Sequence, residues 1–125
     1  MSAALILVVE DNETNQMLTV AVLERDGYRV VVAGNTSEAR EQIKTETPHL
    51  ILMDVQLPGE DGLAFTRQLK RNPTTSPIPI VAMTAHAMQG DAEQAIEAGC
   101  SGYIAKPIDT RALAEQIRRY LAVAR

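Results

Sequence analysis

Five polar residues placed directly after short apolar runs are the parts of this sequence that could do chemistry. "LILVV" (5–9) is followed by Glu10 and Asp11, and "LILM" (50–53) by Asp54. "IPIVAM" (78–83) is followed by Thr84 and "YIA" (103–105) by Lys106. Each has an ordinary explanation when taken alone. An aspartate is a common helix cap, and within "LILMDVQLPGEDG" Asp54 could be a turn residue, a metal ligand or a nucleophile. As a set they are far more specific. Three carboxylates brought together repel one another, and a hard divalent cation offsets that cost. Mg²⁺ suits a site with few carboxylates, waters and a phosphate, with Mn²⁺ as the alternative ion. Lys106 adds a compact positive charge, and Thr84 a hydroxyl donor. These are the components of a phosphoryl-transfer site.

Such a site requires a scaffold that gathers strand ends. The apolar runs, together with "RVVVA" (29–33), are rich in Val and Ile and hardly alternate, as parallel strands covered on both faces do. Helical segments separate them. One is expected from Thr14 to Asp26, closed by Gly27. Asn35 with Glu38 resembles a capping box and opens a helix to about Thr47, stopped by Pro48. Others are expected over Leu63–Arg71, from about Gln89 to Ala98 with Gly99 behind it, and from Thr110 onward, where Arg118 and Arg119 suit the negative helix end. Five βα units in unbroken alternation predict an α/β fold: a doubly wound, flavodoxin-like (βα)5 domain spanning 1–125. Its five-stranded parallel sheet is expected in the order 2-1-3-4-5. In that order the first and third strands are neighbours at the switch point, where ligands bind. Glu10, Asp11 and Asp54 then converge.

Composition narrows the class. The chain has 125 residues with 46% apolar and 22% charged, in the range of one globular domain. Its net charge of −4 argues against direct nucleic-acid or anionic-membrane binding, and no apolar run has the length of a membrane span. A single cysteine, Cys100, fits a reducing, cytoplasmic compartment. The sequons "NET" (12–14) and "NTS" (35–37) are accidental on that reading. No GxGxxG or GxxxxGK loop, no CxxC and no paired-His zinc pattern occurs.

The motifs "VVEDNETN", "LILMDVQLPGEDG", "PIVAMTAHA" and "GYIAKP", in this order over nearly the whole chain, resemble the receiver domain of two-component response regulators. Stand-alone receivers and the receivers of hybrid histidine kinases are the most similar. The resemblance implies a phosphoacceptor, Asp54, that attacks the phosphohistidine of a histidine kinase or histidine phosphotransfer protein. It implies Asp11 and Asp54 as direct Mg²⁺ ligands, Glu10 acting through water, and the Gln56 backbone carbonyl completing the protein's share. It makes Thr84 the switch hydroxyl, Lys106 the phosphate-pairing lysine, and Tyr103 an aromatic that changes exposure on activation. Pro107 is expected to follow a cis bond. Pro58, Gly59 and Gly62 shape an open, flexible loop after Asp54.

Further expectations concern lifetime and partners. Gln56 and His86, each two residues beyond a reacting position, are expected to flank the hydrolytic water and set the lifetime of the acyl phosphate. The first helix is apolar over more than one stripe, and Asn15, Leu18 and Val22 are expected to dock a helical phosphodonor. By resemblance, the face of the fourth helix, fifth strand and fifth helix receives a downstream protein, or a second copy in a phosphorylation-dependent dimer. Such a domain is a regulator and not an enzyme in the ordinary sense. A rival, a Mg²⁺-dependent aspartyl-phosphate phosphohydrolase, would want an acid where Gln56 stands. A flavin or nucleotide module lacks its phosphate-cradling loop. Met1 shortly before the first strand points to a free-standing regulator, against a receiver excised from a hybrid kinase.

Overall fold

The computed structural model describes residues 3–57, 61–85 and 90–123. Ten elements alternate: β1 (Leu5–Val9), α1 (Glu13–Arg25), β2 (Arg29–Ala33), α2 (Thr36–Thr45), β3 (Leu50–Asp54), α3 (Gly62–Arg71), β4 (Ile80–Thr84), α4 (Asp91–Ala98), β5 (Gly102–Ala105) and α5 (Leu113–Val123). The five strands form one parallel sheet in the order β2-β1-β3-β4-β5. This is the flavodoxin-like arrangement expected from the βα alternation.

The lack of alternation in the apolar runs has a direct structural cause. Every residue of β1, β3 and β4 is buried, because helices cover both faces of the sheet centre. On one face Leu7, Val9, Ile51 and Met53 pack with Ala39 of α2, Phe65 and Leu69 of α3, and Ala95 of α4. On the other, Ile6, Val8, Leu52 and Met83 pack with Val22 and Leu23 of α1 and Leu113 and Ile117 of α5. The edge strands differ. β5 alternates between buried and exposed residues, which leaves Tyr103 44% exposed and so outside the core.

Local chemistry sets the helix ends. Asn12 caps α1 by accepting from the Asn15 N–H, and Asn35 caps α2 by accepting from the Glu38 N–H. Both sequon asparagines are therefore helix caps. Gly27 and Gly99 follow α1 and α4 with φ of +94° and +113°, the left-handed conformation that closes a helix at little cost in glycine. The last helix begins at Leu113, later than Thr110. The Asp109 carboxylate accepts from the Arg111 N–H, and the Asp109 carbonyl accepts from the N–H groups of Ala112 and Leu113. These bonds hold residues 109–112 in a turn ahead of the helix. Among the described residues no helix is long and apolar enough to cross a membrane.

Candidate functional site

Strand register brings the acidic residues level. Val9 of β1 pairs with Met53 of β3, so the next residues, Glu10 and Asp54, emerge side by side. Asp54 is the last residue of β3 and pairs with Met83 of β4, one residue before Thr84. Thr84 in turn pairs with Ala105 of β5, so Lys106 leaves the sheet one residue later. Four strands thus deliver their polar residues to one end of the sheet.

Carboxylate oxygens of Glu10, Asp11 and Asp54 lie within 4.8 Å of one another. Glu10 and Asp54 are buried, at 1% and 3% exposure, while Asp11 is exposed. Lys106 Nζ donates to Asp54 Oδ2 at 2.8 Å and to Glu10 Oε1 at 3.1 Å. The backbone N–H of Gln56 donates to Asp54 Oδ1 at 2.9 Å. Both oxygens of Asp54 are therefore held, and the side chain has a fixed orientation. The carbonyl of Glu10 accepts from the Gln16 side-chain amide.

The two buried carboxyls have split affinities for protons. Glu10 is raised from 4.5 to about 7: burial is the largest cause and the neighbouring Asp54 adds to it, while Lys106 and the Asn15 amide partly oppose them. Burial also works against ionisation of Asp54. The neighbouring Glu10 carboxyl and the bonds from Lys106 and the Gln56 N–H outweigh it and hold Asp54 below its ordinary value. Lys106 loses some proton affinity by burial but gains more from Asp54 and Glu10, so it is raised overall. Of the pair, Glu10 holds a proton more tightly and Asp54 gives one up more readily.

This donor set fits a hard cation. Glu10 Oε2 is buried with no hydrogen-bond partner among the described residues. An acceptor left in that state is costly, and a cation bound through oxygen would satisfy it. All three candidate ligands are oxygen donors, with no sulfur or imidazole among them.

The remaining expected residues are distributed as follows. Thr84 is 1% exposed, and its hydroxyl donates to Asp91 Oδ2 at 3.0 Å. The Lys106–Pro107 peptide bond is cis. Gln56 is exposed beside Asp54. His86, Pro58 and Gly59 lie outside the described residues. On α1, Asn15 is half-buried near Glu10, Met17 is 73% exposed and Leu18 is 42% exposed. Val22 is only 6% exposed and belongs to the core with Leu113 and Ile117. It is not available to a docking partner, because its position on the helix turns it toward the sheet.

Two participants escaped the sequence reading. Asp91 opens α4 and binds Thr84, and its only sequence signal was an acidic residue beside Gly90. Gly62 had been expected to loosen the loop, but it is the first residue of α3, packed under Asp54. A β-carbon there would lie 2.5 Å from the Asp54 carbonyl oxygen and 3.1 Å from Val55 Cα. Its role is close approach of helix to strand.

A shallow concavity of about 300 Å³ adjoins the site and is lined by Asn15, Leu18, Ala85, Lys106, Pro107 and Ile108. A larger one of about 460 Å³ lies between α2 and α3, against Ile43, Phe65 and Gln68. No carboxylate lines it, and it is remote from the strand ends that carry the chemistry.

Known proteins resemble this chain in sequence and fold. The family described as response regulator receiver domain matches residues 6–118. The polar-differentiation response regulator DivK of Brucella anthropi is 41% identical over 119 residues, covering 95% of this chain and 97% of that protein. The receiver domain of the sensor histidine kinase PA1611 from Pseudomonas aeruginosa superposes with a TM-score of 0.88 at 36% identity. The match covers 97% of this chain and 99% of that one, and that structure carries a magnesium ion coordinated in its active-site cleft. A CheY-like receiver protein from Methanospirillum hungatei gives a TM-score of 0.89 at 28% identity, over 98% and 97% of the two chains. Receiver domains are regulatory signalling domains, and with its sheet order, acidic strand ends and lysine this chain belongs to the response regulator receiver domain family.

Proposed function

We propose that this domain stores a signal as an aspartyl phosphate on Asp54. A carboxylate oxygen of Asp54 attacks the phosphorus of a phosphohistidine on a histidine kinase or phosphotransfer protein. A P–O bond forms and the P–N bond breaks. The electron pair returns to the imidazole, which takes up a proton. The observation that carries the reading is the held Asp54 carboxylate, with Lys106 at 2.8 Å and the Gln56 N–H at 2.9 Å. Both donors fix the nucleophile, and Lys106 is poised to pair with the oxygens of an incoming phosphoryl group.

Mg²⁺ would be held by Glu10, Asp11, Asp54 and the carbonyl of Gln56. When bound, it neutralises the carboxylates and stabilises charge on the phosphoryl oxygens. Thr84 donates its hydroxyl to the acylated Asp54, and Tyr103 on β5 changes exposure with it. Covalent phosphate thereby shifts the population toward a second conformation, read by a protein partner on the face of α4, β5 and α5. That face already exposes Ile96 and Tyr103. The phosphodonor approaches over Asn15 and Leu18, beside the concavity that reaches Lys106. Gln56 and His86 set the lifetime of the acyl phosphate, and the setting is cytoplasmic. Incubation with acetyl phosphate should give a hydroxylamine-labile phosphoprotein in Mg²⁺ and none in EDTA. Labelling of equal extent in both would count against the reading.

A further inference from the structure

Thr84 and Asp91 are joined across the gap between β4 and α4. The Thr84 hydroxyl is buried and donates its single proton to Asp91 Oδ2 at 3.0 Å. Asp91 is the first residue of α4. The residue before it, Gly90, sits at φ +94° and gives the helix no side-chain cap. The Asp91 carboxylate therefore favours the positive helix end while also tying that end to the last residue of β4.

We propose that Asp91 is a positioning residue that holds Thr84 back and couples the phosphoryl group to α4. This rests on the phosphoacceptor reading given above. The hydroxyl has one proton to donate. To give it to an oxygen on acylated Asp54, Thr84 must release Asp91. Each state thus owns one hydrogen bond that the other lacks, which makes the pair an exchange switch. Release frees the uncapped first turn of α4 from the sheet, so the consequence of phosphorylation appears at the start of the helix that bears exposed Ile96. Asp91 also sets the cost of activation, because its bond to Thr84 competes with the phosphoryl group and lowers the fraction of chains ready to receive it.

Beryllofluoride, which mimics a phosphoryl group on a carboxylate, tests this without turnover. Its apparent affinity in Mg²⁺ is measured by amide NMR on the whole chain. Asp91→Ala should bind about fivefold more tightly than wild type, the scale of one lost competing hydrogen bond. In a Thr84→Ala background the same substitution should have no effect, whereas Thr84→Ser should preserve it. A structural or helix-dipole role for Asp91 would persist in the Thr84→Ala background, and that result would overturn the proposal, as would equal affinities for wild type and Asp91→Ala. If Asp91→Ala does not fold, Asp91→Asn carries the same comparison with a smaller gain, since its amide oxygen is a weaker acceptor. A wild type that takes up neither beryllofluoride nor a phosphoryl group would instead overturn the phosphoacceptor reading, and the switch with it.

Discussion

Lys106 ties the two buried carboxyls together, with Nζ 2.8 Å from Asp54 Oδ2 and 3.1 Å from Glu10 Oε1. The three residues stand at the ends of three different strands, and 96 positions separate Glu10 from Lys106. One cation thus crosslinks the site before any metal arrives. Removing it leaves two buried carboxyls facing each other without compensation. Lys106→Ala should lower metal-free stability by about 2 kcal/mol, given that the lysine is one-fifth exposed. Excess Mg²⁺ should restore part of that loss. Thermal unfolding in EDTA and in Mg²⁺ makes the comparison, and an equal loss in both conditions would show that the lysine is not the cation that balances these carboxyls.

Metal-free stability should also depend on pH in a direction set by Glu10. Its folded-state value of about 7 exceeds the ordinary 4.5, so between those values the folded chain binds more protons than the unfolded one. Stability is then fully present below the unfolded value and declines as pH rises through the folded one. Asp54 is lowered and has the opposite sign, but its contribution is lost only in stronger acid. Urea unfolding in EDTA should lose about 2 kcal/mol between about pH 5 and pH 8. Glu10→Gln should flatten the profile, and an unchanged slope in that variant would place the titration elsewhere.

Gly62 permits α3 to start directly beneath the nucleophile. Gly62→Ala would set a methyl group 2.5 Å from the Asp54 carbonyl oxygen, a backbone atom that cannot rotate away. Overpacking of this kind costs about 1–3 kcal/mol, and the shift falls on the strand end that aims Asp54. The variant should therefore lose both melting temperature and phosphorylation rate. A rate unchanged in a folded variant would mean that the helix yields while the strand stays put.

Which residues meet was largely legible from the chain, because chemistry-bearing side chains sit at strand ends and βα alternation decides which ends are neighbours. Glu10, Asp54 and Lys106 could be associated this way despite their separation. Contacts that depend on side-chain direction were not legible. The wide apolar spread of α1 signalled an exposed patch, found at Met17 and Leu18. It could not tell that Val22 turns inward, since residue type does not fix rotation about the helix axis. Asp91 was hidden because its bond to Thr84 closes across a connection with no periodic pattern. Gly62 was misread because sequence does not distinguish a glycine needed for freedom from one needed for closeness. The late start of α5 reflects the turn chemistry of Asp109, a competitor to helix that apolar spacing does not register.

The claim on which the account turns is that Asp54 receives the phosphoryl group. Intact-mass spectrometry after incubation with acetyl phosphate and Mg²⁺ tests it most directly. Wild type should gain one phosphoryl group and Asp54→Ala none, with the variant folded by thermal melt. A phosphoryl adduct on Asp54→Ala equal to that on wild type would contradict the account.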